Sequence, residues 1–265
     1  MKISIITVNY NSKDGLRRTL ESVRTQTCHD FELIIIDGGS TDGSQDVIAQ
    51  YSDIVTYHEA TKDGGPFFGM NKGIEHAQGD YCIFMNSGDS FYDEHVLEKF
   101  VAEPRTKDIY TGVAAEHLEK GLYQWNPPYA IDISLKFFYR GALSHQSSFI
   151  KTSWLKQHPY DTSYRIVSDW KFFLESLIVL HASYGPLPFF VSHYMDGGIS
   201  RDAVKAFAER DHVLAELFSS QQLYDMHLQL AWDEQKKLVD PLSKTGKVIV
   251  AFVRFMLNIR KKRFK

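Results

Sequence analysis

The sequence predicts an α/β fold: a mostly parallel central sheet with helices on both faces, followed by a C-terminal helical extension. Three observations lead there. Residues 3–8 and 31–36 are near-continuous apolar runs, as in strands covered on both faces. Each run stops at a polar loop and is followed by residues at helical spacing. From 203 to 237 there is no Gly or Pro to break a helix.

Taken in order, residues 3–8 form a strand, Asn11 and Ser12 offer a helix N-cap, and Leu16, Leu20 and Val23 lie on one helical face. The second strand, 31–36, ends at Asp37. Gly38-Gly39-Ser40-Thr41-Asp42-Gly43 cannot continue it and leads into a helix carrying Val47, Ile48 and Tyr51, with Asp42 as the turn cap. A third step comprises a strand at 54–58, a loop at 62–66 and a helix from about 67 to 77. Gly79-Asp80 turns into a buried strand, 81–85, that stops at Asn86-Ser87-Gly88-Asp89.

Strands alternating with short helices imply right-handed βαβ units, and ligands of such sheets bind beyond the carboxyl ends of the strands. The polar clusters at 7–11, 37–42, 63 and 86–89 all fall at those ends, so they should converge on one crevice. After Asp93 the alternation loosens. Expected there are a strand at 108–114, a hairpin partner at 121–125, a short strand at 145–150, a helix at 167–180 and a late strand at 189–194 closed by Asp196-Gly197-Gly198-Ile199-Ser200.

At 265 residues and 43% hydrophobic content, the chain can fill one large domain with a modest appendage. Cys28 and Cys82 have neither CxxC spacing nor a His/Cys cluster beside them, which excludes a disulfide framework and a structural zinc site and fits a reducing compartment. The chain opens directly on a strand without a secretory pattern, so a cytoplasmic location is expected. The net charge of −3 hides an asymmetry: residues 241–265 hold eight Lys/Arg and no acid, leaving −11 for the remainder. An acidic body argues against a nucleic-acid-binding face.

Ser4-Ile5-Ile6-Thr7-Val8-Asn9-Tyr10-Asn11, the 31–43 segment, Met70-Asn71-Lys72-Gly73, Asn86-Ser87-Gly88-Asp89 and Ser168-Asp169-Trp170 occur in the order seen in family 2 glycosyltransferases of the GT-A fold. The chain resembles bacterial members that build surface polysaccharides, over residues 1 to about 200. The resemblance divides that span into a donor half, about 1–115, and an acceptor half, about 116–200, with 201–265 as the extension. It implies inverting transfer of a hexose or N-acetylhexosamine from a nucleotide diphosphate sugar, most often a UDP-sugar, to a saccharide or lipid-linked saccharide.

The resemblance puts Thr7, Asn9 and Tyr10 around the base, with the Tyr10 ring as a stacking surface. Asp37, at a strand end, can accept a hydrogen bond from the base or ribose. Many members carry a second acid where Gly38 stands, so Asp63 is the other candidate for that role. Lys72 can reach the diphosphate, or can be a solvated helix lysine. A hard cation, Mg²⁺ or Mn²⁺, suits a diphosphate, with Asp89 as its ligand or, alternatively, as a helix cap. Where others have further carboxylates, this chain has Asn86 and Ser87 in the donor site.

The acceptor hydroxyl needs a general base. The resemblance assigns that role to Asp169, which is also a good helix N-cap. His145, in Ser144-His145-Gln146-Ser147, is expected near the acceptor or donor sugar, or as a structural histidine. Gly198 and Ser200 lie in a segment that resembles a loop closing over the donor.

Residues 248–257 are apolar except for Arg254, too short to span a bilayer and flanked by basic residues. An amphipathic contact of 244–265 with an anionic membrane, at the inner face of the cytoplasmic membrane, is one reading; an ordinary packed helix is the other. A dinucleotide-dependent oxidoreductase is disfavoured because no G-x-G-x-x-G follows the first strand. A nucleotide-sugar-binding assembly subunit with weak catalysis is a further alternative.

Overall fold

Strand β1 (Ile3–Asn9) is buried along nearly its whole length and is the axis on which the rest is hung. The computed structural model describes residues 2–118, 121–125, 133–194 and 202–239. After β1 come α1 (Lys13–Arg24), β2 (Phe31–Asp37), α2 (Ser44–Gln50), β3 (Val55–Ala60), α3 (Pro66–His76) and β4 (Tyr81–Phe84). There follow β5 (Ser90–Phe91), α4 (Val96–Ala102), β6 (Ile109–Leu118), β7 (Gly121–Trp125), α5 (Leu135–Arg140), a 3-10 turn at His145–Ser147, β8 (Ser148–Lys151) and α6 (Thr152–Gln157). The described chain ends with α7 (Ser168–Leu174), a π-helical turn at Glu175–Val179, β9 (Tyr184–Tyr194), α8 (Ala203–Leu217) and α9 (Ser220–Val239).

The strands form one sheet in the order β3-β2-β1-β4-β8-β6-β9-β5, with β7 added on β6. From β3 to β4 all pairs are parallel. The strand order reverses at β1 and β4, which is the switch point where α/β sheets bind ligands. Beyond β4 the sheet is mixed: β8 runs antiparallel to β4 and to β6, while β9 pairs with β6 in parallel.

The period-2 pleat of β1 decides what each face meets. Ile3 and Ile5, with Leu33 and Ile35 of β2, pack with Leu16, Leu20 and Val23 of α1 and Val47 and Ile48 of α2. On the opposite face α3 lies close above β1. A Cβ at Gly73 would come within 2.4 Å of Ile6 Cγ2, and one at Gly69 within 2.8 Å of Val8 Cγ1. Two glycines one turn apart therefore set the height of α3 above the sheet.

Several later elements differ from the sequence reading. The strand expected at 145–150 begins as the 3-10 turn, closed by Ser148 Oγ donating to Ser144 O at 2.7 Å. The helix expected at 167–180 widens after Leu174, where Leu180 N–H reaches back to Glu175 O at 2.9 Å. β9 starts at Tyr184, earlier than expected despite Pro186 and Pro188, and accommodates them by register shifts against β6. The helix expected from Glu94, which Asp89 would have capped, is α4 and begins at Val96, whereas the short helices α5 and α6 were not legible in the sequence.

The first compact unit is 1–213, so its boundary falls beyond residue 200 and takes in most of α8. In the second unit, the helix expected to run unbroken is interrupted at Phe218 and Ser219. Ser219 and Gln222 form a capping box: Ser219 N–H donates to Gln222 Oε1 at 2.8 Å, and Gln222 N–H to Ser219 Oγ at 3.3 Å. That signal was present as Ser219-Ser220-Gln221-Gln222. Among the described residues no helix is long and apolar enough to cross a membrane.

Candidate active site

The carboxyl ends of β1, β2 and β4 are tied together by side chains. Asn9 Nδ2, at the end of β1, donates to Asp37 Oδ2 at 2.6 Å and to Ser40 Oγ at 3.1 Å. Its Oδ1 accepts from Ser87 Oγ at 2.7 Å. Next along the β4 loop, Asn86 Oδ1 accepts Val8 N–H at 3.3 Å, which turns Asn86 Nδ2 toward His145 Nε2, also at 3.3 Å. His145 Nδ1 then meets Asp169 Oδ2 at 2.8 Å. A continuous polar series thus runs from Asp37 through Asn9, Ser87, Asn86 and His145 to Asp169.

This arrangement selects a tautomer. Asn86 Nδ2 is a donor only, so neutral His145 accepts at Nε2 and donates from Nδ1 to the Asp169 carboxylate. Burial pushes the imidazole pKa down, but the Asp169 hydrogen bond and the charges of Asp169 and Asp89 outweigh it, leaving it above the ordinary histidine value. Asp169 sits in the first turn of α7, and its Oδ1 also accepts Trp170 N–H at 2.8 Å. The side chain is 23% exposed, so the carboxylate is oriented by protein yet open to a ligand.

Asp37 is fully buried, and its Oδ1 accepts Gly39 N–H at 3.0 Å and Ser40 N–H at 2.7 Å. With Asn9 on the other oxygen, the carboxylate is engaged in shaping the β2 loop. Asp37 and Asn9, expected around the nucleotide, are both buried, and through each other, Ser40 and Ser87 they crosslink the loops after β1, β2 and β4. Asp63 differs. Its Oδ1 accepts Gly65 N–H at 2.9 Å, while its Oδ2 is buried with no hydrogen-bond partner. Such an acceptor costs stability unless something satisfies it.

Tyr10 is 66% exposed, which leaves a ring face free. A Cβ at Gly38 would meet Tyr10 Cδ2 at 3.3 Å and Asp63 Oδ1 at 3.5 Å, so Gly38 keeps open the space where these two residues converge. Thr7 is buried, its Oγ1 without a hydrogen-bond partner among the described residues. Lys72, expected to reach the diphosphate or to be a solvated helix lysine, donates from Nζ to Glu59 Oε1 of the neighbouring β3 at 2.6 Å. Gly198 and Ser200, like the basic run at 244–265, lie outside the described residues.

Asp89 closes the β4 loop. Gly88 takes φ of 110° and donates its N–H to Thr19 Oγ1 at 3.0 Å, and that hydroxyl donates to Asp89 O at 2.6 Å. Asp89 therefore belongs to this loop and does not cap α4, which begins at Val96. Among the described residues no group of three His, Cys, Asp or Glu could hold a metal alone. A single carboxylate fits a hard divalent ion shared with a ligand's phosphates, as Mg²⁺ is commonly bound.

The model for Glycosyl transferase family 2 matches residues 4–163. The chain belongs to that family. It is 35% identical over 186 residues to an uncharacterised glycosyltransferase of Mycobacterium tuberculosis, covering 67% of this chain and 69% of that protein. It is 36% identical over 118 residues to Bacillus subtilis TuaG, named for teichuronic acid biosynthesis, covering 42% of this chain and 46% of TuaG. The structure of S. aureus TarS residues 1–349 in complex with UDP-GlcNAc superposes with a TM-score of 0.65 at 18% identity, over 90% of this chain and 76% of that one. The family 2 transferase has a GT-A-like sheet, and the motifs at 4–11, 37–43 and 86–89 lie inside the matched span, whereas Asp169 lies beyond it.

Thr19, Asn71 and Glu209 were not expected at the site. The Asn71 side chain donates to Tyr160 O at 2.8 Å and accepts Tyr160 N–H at 3.0 Å, fixing the segment that leads to α7. Glu209 of α8 accepts N–H groups of Arg165, Ile166 and Val167 at 3.3, 2.9 and 3.0 Å, immediately before α7. Asn71 was visible within a motif. Nothing in the spacing of Glu209 marked it, since it meets its partners only through tertiary packing.

Proposed function

We propose that this transferase moves a hexose or N-acetylhexosamine from a nucleotide diphosphate sugar, a UDP-sugar, to a saccharide or lipid-linked saccharide hydroxyl with inversion at the anomeric carbon. The observation that carries the reading is the side-chain series from Asp37 to Asp169, which joins the nucleotide end of the switch point to a carboxylate poised to take a proton. The uridine reading draws on TarS, solved with UDP-GlcNAc. A role in surface polysaccharide synthesis draws on the resemblance to TuaG.

Tyr10 stacks on the base, and Asp63 accepts a hydrogen bond from its imide N–H or a ribose hydroxyl, satisfying the buried Oδ2. Asp89, with the donor's phosphates, holds the cation. When bound, Mg²⁺ or Mn²⁺ supplies positive charge against the departing diphosphate. His145, hydrogen-bonded to Asp169, keeps that carboxylate aimed. Asp169 accepts the acceptor proton as the hydroxyl attacks the anomeric carbon from the face opposite the diphosphate. One in-line displacement gives a β-linked product from an α-linked donor. Residues 244–265 add a cationic contact with anionic lipid at the inner face of the cytoplasmic membrane, tested by truncation before Lys244 and sedimentation with anionic vesicles.

The test is a transfer assay over a panel of UDP-sugars with Mn²⁺, paired with UDP titration. Asp169→Asn should lower transfer by about 10²–10⁴-fold, the range expected for a general base, while UDP affinity stays within about twofold. Retained transfer in this variant would remove Asp169 from the mechanism.

A further inference from the structure

One cation near Asp169 has no role in the chemistry above. Arg210, on α8, places its guanidinium carbon 4.9 Å from the centroid of the Trp170 ring. Its Nε is sealed from solvent without a hydrogen-bond partner, and no carboxylate lies within ion-pair distance of it among the described residues. The adjacent Glu209 is engaged with the backbone before α7. Burial disfavours the charge of Arg210, and Asp169 partly offsets this. Asp169 itself is held by His145 and the Trp170 amide. A half-buried guanidinium over an indole ring, its fork unmatched, is costly unless an anion completes it.

Position indicates which anion. Arg210 stands over the ring of Trp170, the residue next to Asp169, so an anion on its guanidinium would lie close to the carboxylate read as the acceptor-side base. A negatively charged acceptor would be repelled by Asp169 unless a cation stood beside it. The guanidinium fork matches carboxylate and phosphate oxygens in pairs.

We propose that Arg210 binds an anionic group of the acceptor, a sugar carboxylate or phosphate, next to the hydroxyl that Asp169 deprotonates. The inference rests on the reading of Asp169 as the acceptor-side base. It makes the acceptor an acidic saccharide, a class that nothing else in the site specifies.

The experiment uses the full chain saturated with UDP and Mn²⁺, so that anionic probes cannot occupy the donor site. Methyl β-D-glucuronide, glucose 6-phosphate and neutral methyl β-D-glucoside are titrated by calorimetry into wild type, Arg210→Lys and Arg210→Gln, with thermal melts as the folding control. Wild type should bind at least one anionic probe about tenfold more tightly than the neutral one. Arg210→Gln should lose that preference without losing UDP, and Arg210→Lys should keep part of it. A preference for glucuronide alone identifies a carboxylate, and for glucose 6-phosphate alone a phosphate. Equal affinities, no anionic binding, or a preference that survives Arg210→Gln would overturn the proposal; should Arg210→Gln not fold, loss or retention of the preference in Arg210→Lys decides. Failure of wild type to bind UDP would instead overturn the donor reading.

Discussion

His145 Nδ1 and Asp169 Oδ2 lie 2.8 Å apart, joining the 3-10 turn before β8 to the first turn of α7. The imidazole has Asn86 on its other nitrogen, so its protonation state is written into the geometry on both sides.

The pH dependence follows. The folded-state pKa of His145 is raised, so the proton is bound more tightly in the folded than in the unfolded chain. Its contribution to stability is full below the ordinary histidine value, near 6.5, and is lost as pH rises through the raised value. Activity should move oppositely, because a proton on Nε2 sets two donors against each other at Asn86. The acid limb of kcat/KM should lie above 6.5, and His145→Gln should flatten both it and the rise in stability on acidification. Urea titrations and rate profiles between about pH 5.5 and 8.5 check the two halves.

Asp37 and Asp63 should separate cleanly. Asp37→Asn places an amide against Asn9 Nδ2 in a buried site and should lower stability by about 1–3 kcal/mol, measured by urea unfolding. Asp63→Asn should leave stability nearly unchanged and weaken UDP binding by about tenfold in calorimetry.

Asp89 is tested through the cation. For wild type, Mn²⁺ should strengthen UDP binding, and in Asp89→Asn that enhancement should vanish while metal-free UDP affinity remains. An enhancement of equal size in the variant would place the ion elsewhere.

Lys72→Met should alter UDP affinity by less than about twofold, since its ammonium is held by Glu59. As the pair is partly exposed, stability should fall by no more than about 1 kcal/mol. A large loss of donor affinity would show that Lys72 leaves Glu59 when the diphosphate arrives.

The first half of the fold was legible because a parallel sheet writes itself in unbroken apolar runs such as 31–36, each closed by a polar loop. The site loops were legible for the same reason, as Asn86 to Asp89 must lie at a strand end. Asp37 shows what spacing does not reveal: that a strand-end carboxylate is already engaged by Asn9 and by the amides of its own loop. The mixed half was less readable. β9 contains two prolines, and the 145–150 segment begins as a turn, because their pairing is set by partners distant in sequence. Arg210 and Glu209 sit on a helix with ordinary polar spacing, and only packing brings them to α7.

The three amides gathered by Glu209 set a lower limit on how far the enzyme can be trimmed. A chain ending near residue 200 keeps every strand of the described residues and every motif, yet strips the acidic clasp from the stretch that delivers Asp169. Such a fragment should still recognise UDP while transferring sugar poorly, so the smallest working transferase extends through α8.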